Sequence, residues 1–557
     1  MTDIVSLRPL AAVLVSAIGA LLILSSGRRP NVRELWTILA AMLKFGIVAS
    51  MVPDALAGDA QVTHLGMIVP GIEFSLRADA LGVLFALLAS TLWIAASFYS
   101  IGYMRGLDEH SQTRYFAAFA GSLSAAVGVA FASNLLVLFV FYELLTVMTY
   151  PLVAHDETPV ARAAGRKYLA YTFGGGVAVL AGTALVYLVT GTVGFTPGGI
   201  NGIASDPTLA RAAFALLATG FGVKAALMPL HSWLPDAMVA PTPVSGLLHA
   251  VAVVKSGVFG IARVVLDVFG PDAVADLGVG LPLAAVAAFT LLTASVIALR
   301  QDNLKRRLAY STISQLSYIV LGLGILGPAS LIGGLLHIPA HAFMKLTLFF
   351  CAGAIHVETH TDDISEMAGI GRRMPATMAA FAIAAIGMAG IPLLAGFVSK
   401  WYLLIGSLSA GRAVFAVALL LSGMLNIAYF WPIVYQAFFE TADAVGTKPV
   451  IENPFGGRLR ADGGNHHADG DDAVETTEDE SPTTGDPRPE HIDHIADDHY
   501  GGPPAGGWER RTPATETTWF MLGPILAVAL GAVLLGIVPS RAVFLDLVEA
   551  IVTGVLA

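Results

Sequence analysis

Apolar residues run through this chain in long, nearly unbroken blocks. Blocks of about 20 residues, the length needed to cross the hydrocarbon core of a bilayer, fall at 8–26, 33–53, 80–104, 115–133, 135–154, 166–191, 209–238, 244–267, 280–299, 308–326, 329–356, 376–406, 412–438 and 518–538. In lipid every backbone polar group has to be satisfied internally, and runs of this length do so as helices. The pattern predicts an all-α membrane protein of about 14 transmembrane helices. The first block reads as a span: Arg28 and Arg29 flank it as a topology anchor would, and no small-residue cleavage site follows.

The short connections set an orientation. Basic residues gather in "SSGRRPNVRE" (25–34), "ARAAGRK" (161–167) and "RQDNLKRR" (300–307), while the alternating connections "VPDALAGDA" and "DVFGPDAVAD" are acidic. The excess of Lys and Arg on cytoplasmic loops predicts the basic set inside and both termini outside. One long segment, 441–517, breaks the pattern. It is Pro/Gly-rich and holds 17 acidic against six basic residues, a net of −11. Such a composition buries too little apolar surface to order itself, so it is expected to be a disordered, acidic cytoplasmic insert. His466, His467, His491, His494 and His499 lie in it and read as part of a solvated linker.

Composition agrees with the spans: 55% of residues are hydrophobic and only 13% charged, with a mean hydropathy of +0.72. The net charge of −10 belongs to the insert, since the remainder is close to neutral. It implies neither an acidic-substrate site nor a nucleic-acid partner. The single cysteine, Cys351, excludes an intramolecular disulfide and a cysteine-ligated iron–sulfur cluster within this chain. No cofactor and no metal is assigned.

Ionisable residues inside the spans alter the picture most. Each costs roughly 2.5–3.5 kcal/mol at a helix centre, so its default reading is functional and facing the protein interior. Here they are Glu143, Lys224, His249, Lys255, His337, His341, Lys345 and Lys400. His337, His341 and Lys345 are spaced i, i+4, i+8, which places them on one helical stripe. Lysine suits a proton relay because burial lowers its proton affinity while a nearby carboxylate raises it. Glu143 is the only acid read at the centre of a span, with Lys224 as its expected partner. No second buried carboxylate is found to build an oxygen cage for Na⁺. Lys44, alone in the second span, either snorkels to the interface or sits inside.

Two spans carry interruptions. "LMPLHSWLPDA" puts Pro229 and Pro235 into the seventh, and "GMAGIPLLAG" puts Pro392 between Gly390 and Gly396 in the twelfth. Broken helices at corresponding positions of two halves point to an ion site near the midplane between inverted repeats. Five spans separate the breaks, which predicts two inverted five-helix repeats and broken seventh and twelfth helices. Lys224 precedes its break and Lys400 follows its own.

The stretches "KAALMPLHSWLPDAMVAPTPVSGLLHAVAVVKSGVF", "LRQDNLKRRLAYSTISQLSYI" and "HAFMKLTLFFCAGAI" resemble the proton-antiporter-like subunits of NADH:quinone oxidoreductase and of Mrp-type cation/proton antiporters, over roughly residues 75–440. Within that family the chain is most similar to the D-type subunits of Mrp antiporters. The resemblance implies a fourteen-helix core divided as N-terminal helices (1–114), a first repeat (115–267), a second repeat (280–440), the acidic insert (441–517) and a C-terminal transmembrane helix (518–557). It matches Glu143 and Lys224 to the family's gating pair, and His249, Lys255, His341, Lys345 and Lys400 to its proton path. The implied function is the proton-translocating subunit of a multisubunit Na⁺/H⁺ antiporter in the cell membrane, a secondary transporter with other membrane subunits as partners. The alternative is a non-redox, proton-pumping subunit of an NADH:quinone oxidoreductase or a related hydrogenase complex.

Overall fold

The structure, a computed structural model, describes residues 2–441, 502–504, 507–539 and 543–556, with all their side chains except those of Leu248 and His249. Its helices are α1 (Arg8–Ser25), α2 (Pro30–Ala49), α3 (Ala80–Gly106), α4 (Gln112–Ala130), α5 (Leu135–Val153), α6 (Pro159–Thr190), α7 (Pro207–Lys224), α8 (Thr242–Ala250) and α9 (Val253–Arg263). They continue as α10 (Gly280–Leu299), α11 (Leu304–Ile325), α12 (Pro328–Thr359), α13 (Pro375–Ala389), α14 (Ala395–Ser409), α15 (Ala413–Phe439), α16 (Trp519–Ile537) and α17 (Phe544–Leu556). Short turns of helix at Val52–Leu56, Trp233–Asp236 and Gly270–Asp276 lie between them.

The helix starts follow from the sequence. Asp79, Asn134, Thr158, Asp206 and Asn303 each accept a backbone N–H of the first turn of α3, α5, α6, α7 and α11. Proline opens α2, α6, α7, α12 and α13, where its missing N–H costs nothing.

Ten described helical segments are long and apolar enough to cross a membrane. Of the other predicted spans, 209–238, 244–267 and 376–406 are each interrupted. The fourth is α4, whose Gly121, Ser122, Ser124 and Gly128 dilute its apolar character. Burial grades from rim to centre: about a third of the apolar window of α1 and of α2 is buried, against 89% for α11 and 100% for α12. The stripe of His337, His341 and Lys345 is thus carried by the most enclosed of these ten segments. At 32 residues, α12 is roughly 48 Å long at 1.5 Å per residue, enough to reach both faces.

Glycines let backbones approach at the places that position the lysines. A Cβ on Gly220 of α7 would lie 2.5 Å from the Gly175 carbonyl of α6. One on Gly257 of α9 would lie 2.3 Å from the Ala225 nitrogen, next to Lys224. Small residues at such crossings are how membrane helices pack without a hydrophobic driving force.

Three features were not anticipated. The connection before α3 folds into a small mixed sheet with strand order β1 (Asp3–Val5), β2 (Ala60–Val69), β3 (Ile72–Ala78). β1 runs parallel to β2 with Asp3 opposite Ala60, and β2 antiparallel to β3 with Gln61 opposite Ala78. A further helix, α17, follows the last span and buries Phe544, Leu547, Val548, Ile551 and Val552 on one face.

The third feature concerns the insert. Residues 442–501 lie outside the described residues, but its C-terminal end is fastened down. Trp508 donates its indole N–H to the Ala368 carbonyl (2.8 Å), and the Glu516 carboxylate accepts from the Ala376 and Thr377 amides, both at 2.8 Å. An anion at the start of α13 meets the unpaired N–H groups and the positive end of that helix.

Candidate functional site: a buried lysine–histidine file

The first element is built at the break in the seventh span. α7 stops at Lys224, the chain turns through 225–232, and a helical turn resumes at Trp233. Pro229 and Pro235 lie in this broken stretch, and the freed Val223 carbonyl accepts the Trp233 indole N–H (2.8 Å). Lys224 is fully buried. Its ammonium donates to the Tyr142 carbonyl of α5 and lies 3.4 Å from the centre of the Tyr142 ring. Glu143, the next residue on α5, has no hydrogen-bond partner on either carboxylate oxygen. It is held against Gly176 of α6, where a Cβ would fall 1.9 Å from Oε1. The expected partners therefore meet at α5, with Lys224, from the end of α7, bonded to the backbone one residue before Glu143.

The centre joins the two halves. Lys255 of α9 is fully buried and donates to the Ile338 carbonyl and to His341 Nδ1 of α12, both at 3.0 Å. Pro339 stands inside α12 beside that carbonyl and removes a ladder N–H from this part of the helix. The His341 and His337 rings are 6.1 Å apart. His337 donates from Nε2 to Gln315 Oε1 (3.0 Å) and accepts at Nδ1 from the Ser399 hydroxyl (2.8 Å). The side chain of His249, on α8, lies outside the described residues.

Beyond this the file divides. Lys345, one turn along α12, donates to the Leu308 carbonyl (3.2 Å) and to the Ser311 hydroxyl of α11. Lys400, next to Ser399, reaches back across the second break to the Met388 carbonyl at the end of α13, with its ammonium 4.7 Å from the centre of the Tyr318 ring. Gly390 at that break has φ +88°, a left-handed conformation that favours glycine, and a Cβ there would fall 2.8 Å from Lys400 Cδ. Pro392 lies between α13 and α14.

Lys255, His341, His337 and Ser399 thus form one contiguous line, with Lys345 as a branch and Lys400 adjoining its far end. Lys224 stands where α9 crosses α7, and Glu143 faces α6. All but Glu143 and Lys400, which are half-buried, are enclosed. Such a set of amines, imidazoles and hydroxyls can pass protons by exchanging donors and acceptors, and it is not arranged to grip a larger solute.

Ser311, Gln315, Ser399 and Asn426 were missed by sequence reasoning. Ser311, Gln315 and Tyr318 recur at i, i+4 and i+7 within "YSTISQLSYI", one face of α11 turned toward α12. Gln315 donates in turn to Asn426 Oδ1 (3.3 Å).

Glu143 stays the one acid at the centre of a span among the described residues, but the expectation of no second buried carboxylate is corrected: Glu34, Asp79, Asp267 and Glu516, at or beyond the helix ends, are all buried. Each is compensated. Arg263 donates to Asp79 at 2.6 and 2.7 Å and to Asp267 at 2.8 Å, closing a triad beside a pocket of ≈600 Å³ that Arg77 and Thr196 also line. Arg105 and Arg33 hold Glu34, and Glu516 caps α13. Their oxygens are committed to protein donors, so they form no free cage. Lys44, for which snorkelling was open, is fully buried, donates to the Leu123 carbonyl (2.7 Å) and lies 5.3 Å from the Trp93 ring centre.

Comparison with known proteins agrees with this architecture. A family model described as NADH:quinone oxidoreductase/Mrp antiporter, transmembrane, matches residues 132–425. NADH-quinone oxidoreductase subunit N of Desulforudis audaxviator is 33% identical over 391 residues, 70% of this chain and 77% of that protein. A probable K⁺/H⁺ antiporter A/B component of Rhizobium meliloti is 33% identical over 363 residues, 65% of this chain and 36% of that longer protein. In fold, a chain of the Mrp complex from a Dietzia species matches with a TM-score of 0.76 over 99% of this chain and 100% of that one, at 22% identity. The chain is a multi-pass member of the NADH:quinone oxidoreductase/Mrp antiporter transmembrane family.

Proposed function

We propose that this chain is the proton-translocating subunit of a multisubunit Na⁺/H⁺ antiporter, working beside other membrane subunits as a secondary transporter and not as an enzyme in its own right. The observation that carries the reading is the buried file in which Lys255 bonds His341, the His341 ring lies 6.1 Å from that of His337, and His337 bonds Ser399, with a lysine at a helix break toward either end. In this reading protons are taken up near Glu143, pass Lys224, His249 and Lys255, reach the His341–Lys345 stripe and leave by Lys400. Residues 115–267 and 280–440 act as two inverted five-helix repeats. The basic loops and the acidic insert face the cytoplasm, and the termini lie outside. One elementary charge crossing 100 mV releases about 2.3 kcal/mol, a sufficient drive for cation exchange. Na⁺ travels elsewhere in the complex, because every fully buried carboxylate of the described residues is engaged by protein donors.

The test is Na⁺ tolerance of cells lacking the gene, complemented by the wild-type chain or by Glu143→Ala. The wild type should restore growth in Na⁺ and the variant should not. Full restoration by the variant removes Glu143 from the transport. A second reading, a proton-pumping subunit of an NADH:quinone oxidoreductase or hydrogenase complex, is favoured by the 33% identity to an NADH-quinone oxidoreductase subunit. It predicts that deletion abolishes redox-driven proton pumping and leaves Na⁺ tolerance unchanged.

A further inference from the structure

The face that carries the basic loops holds a second cluster, which the proton file does not use. Glu109 and His110 lie in the connection between α3 and α4, and His155 in the connection between α5 and α6. One ligand atom from each falls within 4.8 Å of the others. Glu109 Oε2 is 3.7 Å from His110 Nδ1 and 3.9 Å from His155 Nε2.

His155 is the unexplained member. It is fully buried, yet neither ring nitrogen has a hydrogen-bond partner, and buried polar atoms without partners are uncommon and costly. His110 donates Nε2–H to the His155 carbonyl at 3.0 Å. That bond fixes the tautomer and leaves Nδ1 as the acceptor, the arrangement by which a carbonyl orients a metal-binding histidine.

We infer that Glu109, His110 and His155 form a binding site for a divalent transition metal ion of the zinc class. Two imidazoles and a carboxylate are a donor set that zinc takes with the fourth position open to water. Ligand bonds of about 2.0–2.2 Å put neighbouring donors roughly 3.3–3.5 Å apart, so separations of at most 4.8 Å need to close by up to about 1.5 Å. His110 and Glu109 reach solvent, with side-chain exposures of 49% and 21%, which leaves a route for the ion. Asp156 adds negative charge near Glu109, with Lys305 the nearby cation. Arg114 is occupied by Glu157 and the His155 carbonyl. The sequence reading assigned no metal because the ligands come from two separate connections.

The test uses the full-length chain, freed of metal and titrated with Zn²⁺, and with Co²⁺ as a spectroscopic probe. The wild type should bind one equivalent at this site, with the intense visible absorption of four-coordinate Co²⁺. His155→Gln, and His110→Gln on the exposed side where folding is not at stake, should each weaken binding by at least about tenfold. A chain with His466, His467, His491, His494 and His499 all changed to Gln should keep it. The inference is overturned if Zn²⁺ does not bind, if the His110 and His155 variants bind as the wild type does, or if binding disappears only with the insert histidines. None of these readings depends on transport activity.

Discussion

Two of the three interrupted spans, the seventh and the twelfth, hold their lysines in different company. Lys224 ends α7 with a carboxylate beside its anchor: it bonds the Tyr142 carbonyl, and Glu143 follows on the same helix. Lys400 opens the second half of its span with no acid in contact, bonded to the Met388 carbonyl and facing the Tyr318 ring. Lys345 is likewise met by a carbonyl and a hydroxyl. An ammonium beside a carboxylate can stay charged at depth because the pair is neutral. One surrounded only by dipoles and rings carries its charge at a larger desolvation cost. The first site is therefore suited to holding a proton, and the second to passing one on.

The most damaging way to break that contrast is Glu143→Gln, which keeps the shape and removes the charge. Proton transport by the assembled complex should fall by about tenfold or more, the equivalent of at least one pKa unit of proton affinity, while Lys400→Met should reduce it less. Equal losses would mean that the two lysine sites work alike. Arg263→Met tests stability instead. It strands two buried carboxylates and should destabilise the fold by roughly 3–5 kcal/mol, read as a lowered midpoint of thermal unfolding in detergent.

A finer change is Gln315→Glu, which gives the second half an acid next to His337. It should slow transport several-fold by holding the proton on the histidine, and an unchanged rate would remove His337 from the path. Gly176→Ala acts on position alone. The added methyl meets Glu143 Oε1, so transport should fall modestly with normal assembly. Lys44→Met should have the smallest effect, with transport near wild type, because Lys44 bonds the Leu123 carbonyl and faces the Trp93 ring, neither of which belongs to the file.

Charged residues inside apolar blocks stand out against their surroundings, so every lysine of the file was legible before any coordinates. The stripe of His337, His341 and Lys345 follows from helical spacing, and the two breaks follow from Pro229, Pro235 and Pro392. What those groups bond to was less legible. Lys224, Lys255 and Lys400 all bond backbone carbonyls, and a carbonyl has no residue identity to read. Ser311, Gln315 and Ser399 disturb the apolar pattern too little to attract notice. Arg263 and Asp79 are 184 positions apart, and only the fold joins them. The strands at 60–78 and the helix α17 lie outside the long blocks, where span length says nothing.

The central claim is that protons cross through Lys255, the one lysine among the described residues that links α9 to α12 by direct bonds. Membrane vesicles containing the assembled complex, energised and followed with a pH-sensitive dye, test it most directly with Lys255→Met compared at equal protein content. The account predicts that the pH signal collapses to background while the complex still assembles. A wild-type signal from that variant would contradict it.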